Sequence, residues 1–354
     1  MSMLVPLSVF DSDTQFPNLT FDATPYLYIA SEDNMDDLKK IKFFVPNPDT
    51  GDEPMKTAYS ISTMVKAFNT VVHKKKPWNE TGMTVSVKST LKKEEAALLK
   101  GVLYATTEEP DDNNPVFDAW RIPATGTPLE FKEASTAIFL NKAPDAVSLL
   151  SNFSVAETAE LSILCGVPGV STSSVLTKYK GDSNTTMDPV VLTMRSFTVN
   201  TTGKASFWLG GNAVEESKKV RTAASSGVVL SSEYPSKSGV TTEQNVTYNR
   251  KMDFLVTGTF QLNDNAYVLL KFRNVNGNAD VTAKNLTGSG TVNITEVAEQ
   301  LVVQPSSMRA GAFLISYSTE DLGEPESPTG ATGKRSSSLG LSLGLLIITM
   351  VFLR

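Results

Sequence analysis

Residues 254–272 read FLVTGTFQLNDNAYVLLKF, and this stretch decides the fold class. Apolar and polar side chains alternate through Phe254–Leu262 and again through Tyr267–Phe272, with Asn263-Asp264-Asn265 between them. Alternation with a period of two is typical of half-buried strands, and clustered Asn and Asp favour a turn. The stretch therefore predicts two strands separated by a short polar turn.

The same strand pattern recurs along the chain, at Thr84–Lys88, Ser196–Val199, Ala205–Leu209, Thr291–Ile294 and Phe313–Tyr317. Helical patterns are few and short, at residues 36–42, 92–100 and 154–160. Strands spaced by about ten residues with polar turns favour a β-sandwich over alternating strands and helices. The sequence predicts a mainly β protein, with an antiparallel β-sandwich in its C-terminal half and a β-rich N-terminal half with few short helices.

Shifts in composition suggest four segments. Residues 1–212 form a β-rich extracellular domain without an assignment, and residues 213–320 form the β-sandwich. Residues 321–338 are rich in Pro, Gly, Ser and Glu and are predicted to be a flexible stalk. Residues 339–354 are predicted to be a hydrophobic C-terminal anchor signal.

The composition excludes several kinds of chemistry. The formal net charge is −6, which argues against a nucleic-acid partner. Cys165 is the single cysteine and His73 the single histidine, so neither an intramolecular disulfide nor a Cys/His zinc site can form. Cys165 lies in an apolar run and is predicted to be buried, the alternative being a nucleophile paired with His73. The basic run 74–76 is predicted to be a solvated loop.

The C-terminus resembles a signal for attachment of a glycosylphosphatidylinositol lipid. Residues 339–353 read LGLSLGLLIITMVFL without a charge, after the small residues Gly330-Ala331-Thr332 and a polar spacer. Small residues, spacer and apolar tail in this order form such a signal, with Gly330 as the candidate attachment site. A single-pass or tail anchor is the alternative, although fifteen residues are fewer than the roughly 20 that a membrane helix needs.

The N-terminus does not supply the matching entry signal. Residues 1–10 read MSMLVPLSVF and lack both a basic residue and a small-residue cleavage site. Either these residues are the remnant of a signal peptide, or the true start lies upstream, or the anchor interpretation is wrong.

Glycosylation sequons favour an extracellular location. Eight Asn-X-Ser/Thr sequons are spread over the chain, against about four expected by chance. They begin at Asn18, Asn79, Asn152, Asn184, Asn200, Asn245, Asn285 and Asn293. None lies in the C-terminal tail, so the sequence predicts a glycosylated ectodomain at the outer leaflet of the plasma membrane.

Residues 226–318 resemble a CUB domain. Gly227–Pro235 is similar to the opening pattern G-x-[IV]-x-S-P-x-Y-P, although Ser232 replaces the first proline. Asn265–Phe272 is similar to the central I-x-L-x-F strand, and Arg309–Tyr317 to the closing G-F-x-x-x-Y strand. The usual cysteines are absent, which suggests the CUB-like, lipid-anchored surface proteins of nematodes. The resemblance implies a jelly-roll sandwich, extracellular recognition and a role in epithelial innate defence or stress response.

No catalytic, cofactor or metal motif is found. A Gly-rich phosphate loop and a Gly-x-Ser-x-Gly motif are absent, and residues 274–280, where some CUB domains bind calcium, are mostly asparagine. The sequence therefore predicts a non-enzymatic recognition or adhesion protein with an unidentified protein or glycan ligand. Two alternatives stay open: a structural coat glycoprotein, and a surface glycan hydrolase with two converging carboxylates beside Trp120 or Trp208.

Overall fold

Alternating side chains produce long strands near the C-terminus, where Phe254–Leu262 is the end of a 19-residue strand. The computed structural model describes residues 1–13, 18–44, 55–67, 73–79, 82–119, 126–170, 174–182, 185–210, 218–274 and 279–322. The strands of its C-terminal part are β20 (Val220–Arg221), β21 (Ser225–Leu230), β22 (Gln244–Leu262), β23 (Tyr267–Asn274), β24 (Ala279–Thr287), β25 (Ser289–Pro305) and β26 (Gly311–Asp321).

Strands before residue 210 are shorter. They are β1 (Ser2–Pro6), β2 (Leu19–Thr20), β3 (Tyr26–Ala30), β4 (Ile41–Phe44), β5 (Met55–Thr57), β6 (Val65–Ala67), β7 (His73–Lys75), β8 (Thr84–Ser89), β9 (Val102–Thr106), β10 (Val116–Asp118), β11 (Thr127–Phe131), β12 (Ser135–Leu140), β13 (Val147–Val155), β14 (Glu160–Cys165), β15 (Ser174–Lys180), β16 (Thr186–Met187), β17 (Val190–Thr193), β18 (Ser196–Thr201) and β19 (Ala205–Leu209). All seven strands predicted from alternation lie within observed strands, which confirms a mainly β chain.

Helices are short and capped. A 3-10 turn spans Leu7–Val9, and the α-helices are α1 (Met35–Lys40), α2 (Ala58–Ser62) and α3 (Lys93–Ala96). The predicted helical turn at residues 154–160 is wrong, because the chain there ends β13, makes a tight turn and begins β14 in a different sheet. In this turn Ala159 N donates to Ala156 O at 2.8 Å. Helix α2 was not predicted.

The strands pair mostly in antiparallel fashion. The sheet orders are β1-β9-β3, β2-β8-β4-β5, β11-β19-β13-β17, the seven-stranded β15-β14-β18-β12-β10-β7-β6, and the C-terminal β16-β21-β26-β22-β25-β23-β24 with β20 beside β22. In the described part of the chain, the parallel pairs are β10 with β12, β16 with β21 and β20 with β22. A CUB-like jelly roll stays a prediction.

The seven-stranded sheet is covered on both faces. On one face, Phe139 and Phe197 stack at 4.7 Å between ring centroids, and Phe139 meets Phe207 of the β11-β19-β13-β17 sheet at 6.1 Å. On the other face, Ile138 and Leu140 pack in a cluster with Tyr28 and Tyr104. The two sheets that enclose the phenylalanines therefore form a β-sandwich in the first 210 residues, a place where the sequence did not predict one.

The C-terminal sheet has its own core. Phe254 and Phe272 lie edge to face at 5.9 Å, with Tyr248 packed on Phe254. Val228 and Leu230 of β21 belong instead to the core of the first 210 residues. Residues 1–321 form one compact unit, and residues 322–354 are a separate unit. The predicted boundary at residue 212 lies outside the described residues and stays a prediction, as do the stalk and the anchor.

Candidate functional site

Five of the eight sequons place their asparagine in solvent. Their asparagines are Asn18, Asn79, Asn152, Asn285 and Asn293, and each is exposed. Exposure follows from the local fold: the neighbouring Trp78 exchanges two backbone hydrogen bonds of 2.9 Å with Leu27 and is buried, whereas Asn79 projects beyond that bridge. These five side chains are available for attachment of a sugar in the folded protein.

Two sequons are built differently. The side-chain Oδ1 atoms of Asn200 and Asn245 are buried and make no hydrogen bond within the described residues. Asn200 lies on β18, a central strand, opposite Thr136 on one side and Ser162 on the other. Both residues are half-buried, and because a glycan is attached to the nitrogen of the same amide, its addition would require the amide to move away from its neighbours in the sheet. Asn184 and the lipid-anchor candidate Gly330 lie outside the described residues.

A charged cleft of about 470 Å³ opens between three connections of the first region. Its lining residues are Glu32, Asp33, Lys100, Lys142, Ala143, Asp145 and Ala146. Glu32 pairs with Lys142. The carboxylate of Asp33 accepts the backbone N–H groups of Lys100 and Gly101, at 2.9 and 2.8 Å. These two carboxylates are therefore engaged in holding the loops together.

Arg195 holds the connection that carries Lys100, one of the residues lining the cleft. Its Nη1 donates to the carbonyl oxygens of Lys100, at 2.8 Å, and Gly101, at 3.2 Å. Burial lowers the pKa of the Arg195 guanidinium, while the charges of Glu233, Asp33 and Asp145 act in the opposite direction. A Cβ at position 101 would lie 2.6 Å from Ser31 Cβ, so only glycine fits there. These contacts hold neighbouring connections together, so the residues of the cleft have a structural role.

A second polar cluster lies at the start of the C-terminal sheet. Asp188 is buried, and its Oδ2 accepts hydrogen bonds from Arg221 Nε at 2.5 Å, Ser225 Oγ at 2.8 Å and the hydroxyl of Tyr317. Burial, followed by the charge of Asp188, raises the pKa of Tyr317 well above its ordinary value. A Cβ at Gly227 would lie 2.4 Å from Tyr317 Oη, so glycine keeps this contact open.

Sequence reasoning missed this cluster. Asp188 lies 33 residues before Arg221 and 129 before Tyr317, and no motif connects residues at such separations. Only the pairing of β16 with β21 brings Asp188 beside Ser225.

The basic run was predicted wrongly as a solvated loop. Lys75 lies on β7, buried, and donates to Asp118 Oδ1 at 2.9 Å. Lys74 reaches Asp112 at 2.8 Å, and Lys76 is exposed. A lysine side chain can be buried when a carboxylate in the interior pairs with it. The sequence alone does not show that Asp118 is such a partner.

Cys165 is buried, as predicted, and burial raises the pKa of its thiol to about 12. Cys165 lies on β14 and His73 on β7, which are four strand spacings apart in the seven-stranded sheet. That separation is about 19 Å, so the alternative nucleophile pair is wrong. Among the described residues, no group of three or more His, Cys, Asp or Glu side chains could hold a metal ion.

The comparison with protein families is informative for this glycan-bearing β structure. A family model described as a transmembrane glycoprotein matches residues 23–339. The chain belongs to this transmembrane glycoprotein family. The match spans nearly all described residues, including both the first region and the C-terminal sheet. Membership of the transmembrane glycoprotein family agrees with a glycosylated protein at a membrane, and it leaves the CUB resemblance a prediction.

Other comparisons add little to the family assignment. No curated protein matches the chain. A candidate secreted protein of Parabacteroides distasonis is 6% identical, with 91% of this chain and 100% of that chain covered and a TM-score of 0.15. A chain of bacteriophage PM2 is 7% identical over 86% of this chain and 99% of its own, with a TM-score of 0.12. The stem and receptor-binding domain of spike protein P1 from the same phage is 8% identical over 61% and 99%, also with a TM-score of 0.12. These similarities carry no argument about the transmembrane glycoprotein family.

Two remaining features bear on the membrane and on the hydrolase alternative. Within the described ranges, none of the helices has the length and apolar character needed to span a bilayer. The residues that line the charged cleft include no aromatic side chain. Trp208, one of the two tryptophans considered as a sugar platform, is 40% exposed on the outer face of β19, whereas Trp120 lies outside the described residues.

Proposed function

We propose that the chain is a non-enzymatic cell-surface glycoprotein whose β-rich ectodomain recognises or adheres to an extracellular protein or glycan. The observation that carries the proposal is the exposure of five sequon asparagines on a folded chain of the transmembrane glycoprotein family. The pair of facts supports passage through the secretory pathway, where sequons are modified.

The mode of membrane attachment is part of the proposal. The uncharged residues 339–353, the spacer before them and the small residues at 330–332 support a glycosylphosphatidylinositol anchor at Gly330. Such an anchor would remove the apolar tail and leave residues 1–330 at the outer leaflet. A single-pass helix would instead keep the tail in the membrane.

The topology is tested on intact cells that express the full gene. Phosphatidylinositol-specific phospholipase C is expected to release a protein whose mass falls on treatment with peptide N-glycosidase. A Gly330→Pro variant should lose lipid attachment, and Ser337→Ala serves as the matched control in the spacer. If the protein stays on the cell after phospholipase treatment and is cut by an external protease, it is held by a membrane span and not by a lipid anchor. Retention without such cleavage would overturn the surface location itself.

Recognition is separated from a coat role by a ligand screen. Protein released by the phospholipase is applied to a glycan array and to extracellular-matrix proteins. Binding of a defined partner with saturation supports recognition, whereas no binding in both screens contradicts it and leaves the coat role.

A further inference from the structure

The sequon at Asn152 is distinguished by its place in a β-bulge. On strands β13 and β19, Ser151 pairs with Trp208 and Ser154 with Ser206, so Asn152 and Phe153 together oppose the single residue Phe207. Such a bulge leaves one residue without a ladder partner and re-aims its side chain. Asn152 is that residue, with φ of 51°, a left-handed conformation that asparagine tolerates better than most residues.

The bulge puts Asn152 on the same face as Trp208. Phe153 turns into the core, where its ring lies 5.0 Å from Tyr179 and 6.2 Å from Phe207. Ser151, as the direct cross-strand partner of Trp208, shares its face. Ser154, the partner of Ser206, is on this face and is exposed, as is Asn152, whereas Ser151 is buried.

Trp208 is an exposed, fixed aromatic surface at this point. It is 40% exposed, and its other cross-strand neighbour is Pro128. Its Cε3 atom lies 3.4 Å from the position that a Cβ on Gly126 would occupy, so the indole rests against the chain that leads into β11. The exposed part of the indole offers an apolar surface to a ligand or a glycan.

The distances suit the first sugar of a glycan. Directly opposed residues have Cβ atoms about 5 Å apart, and consecutive Cα atoms are about 3.8 Å apart. Asn152 follows Ser151, the residue directly opposite Trp208, so a sugar on Asn152 starts close to the indole. Pyranose rings present an apolar C–H face, which suits the electron-rich face of an indole.

We infer that Asn152 carries an N-linked glycan whose first N-acetylglucosamine packs on Trp208, so that the glycan covers this part of the outer face of the β11-β19-β13-β17 sheet. The inference rests on the proposed function, since the glycan requires the secretory route. It deepens that function by giving this sequon a structural role that the other exposed sequons lack.

The test removes the glycan without touching the bulge. Ser154→Ala destroys the sequon and keeps Asn152, whose left-handed backbone a substitution of Asn152 itself would strain. The change is expected to lower the melting temperature by about 2 °C in the natural background and not at all in a Trp208→Thr background. Thr295→Ala, which removes the sequon at Asn293, is the matched control, because Asn293 faces Thr257 across the strands and should lose no stability.

Two further measurements make the test independent of folding yield. Trimming the glycan to its first sugar with an endoglycosidase should leave the melting temperature unchanged. Complete removal of the glycan should lower it by about 2 °C. Glycopeptide mass spectrometry reports whether Asn152 is occupied. Equal losses of melting temperature in both backgrounds would overturn this inference and leave the proposed function intact. An unmodified Asn152 in a protein whose other sequons are occupied would do the same. An absence of glycan at every sequon would overturn the proposed function as well.

Discussion

The C-terminal sheet, which consists of β16 and the strands of residues 218–322, and the region before it bury polar groups in different ways. In the first region the seven-stranded sheet is covered on both faces, and Lys75 and Asp118 form an ion pair whose side chains are each 1% exposed. At the C-terminal sheet Asp188 shares its charge with Arg221, Ser225 and Tyr317. Lys75, which also donates to the carbonyl oxygen of Ser62 at 3.3 Å, is the cation that balances Asp118, whereas the Asp188 carboxylate binds three side chains. The two places should therefore respond differently to mutation.

The largest effect is expected at the buried Lys75–Asp118 ion pair. Lys75→Met leaves Asp118 charged in the interior and should lower the free energy of unfolding by about 3–5 kcal/mol. Chemical denaturation followed by circular dichroism measures the loss. Lys74→Met, on the same strand but bonded to the exposed Asp112, should cost less than about 1 kcal/mol. Equal losses at positions 74 and 75 would show that burial of the pair is not what matters.

A smaller loss is expected in the Asp188 cluster. Asp188→Asn weakens charged hydrogen bonds but keeps an acceptor, and should cost about 1.5–3 kcal/mol. Asp280→Asn is the matched control, because Arg273 Nε binds Asp280 at 2.5 Å, the same distance as in the Arg221–Asp188 pair, but at the surface. That control should cost less than about 1 kcal/mol. If the control loses as much as Asp188→Asn, the cluster adds nothing beyond an exposed pair.

Cys165 tests whether the two regions unfold together. Burial raises the pKa of its thiol to about 12, so a maleimide probe at pH 8 should not react with the folded protein. If the two regions unfold together, reaction should begin at the denaturant concentration where circular dichroism shows the loss of β-structure in the whole chain. A lower midpoint for Cys165 would mean that the first region opens separately, and would support the predicted division near residue 212.

The smallest effect belongs to a surface pair of the first region. The hydrogen bond from Lys178 lowers the pKa of Glu160 in the β14–β15 hairpin. Because the folded pKa is the lower one, the stabilisation is present at neutral pH and is lost as the pH falls through that folded value. Glu160→Gln should therefore cost about 0.5 kcal/mol or less at pH 7, and the cost should disappear as the pH falls below the folded pKa. A cost independent of pH would contradict this origin.

The two regions also differ in how much the sequence could predict. Long strands such as β22 and β25 repeat their alternation many times, so their segments were predicted correctly. Strand β3 is buried along almost its whole length and shows no alternation, so it was missed. The buried Lys75 was missed because its partner Asp118 is 43 residues away.

The candidate site was predictable only as a set of sequons. A sequon is a local motif, so all eight were visible in the sequence. Whether the amide is exposed depends on strand position, as Asn152 in its bulge and Asn200 in a central strand demonstrate. The Trp208 neighbour of Asn152 depends on pairing across 57 residues, which no local pattern reveals.

The most direct test of the account is site-resolved glycan occupancy on protein from the surface of intact cells. Peptide N-glycosidase in ¹⁸O-water converts each occupied asparagine into labelled aspartate. The account predicts label at Asn18, Asn79, Asn152, Asn285 and Asn293 and none at Asn200 or Asn245. Unlabelled peptides at all of these positions would contradict the claim that this folded β chain is displayed as a glycoprotein outside the cell.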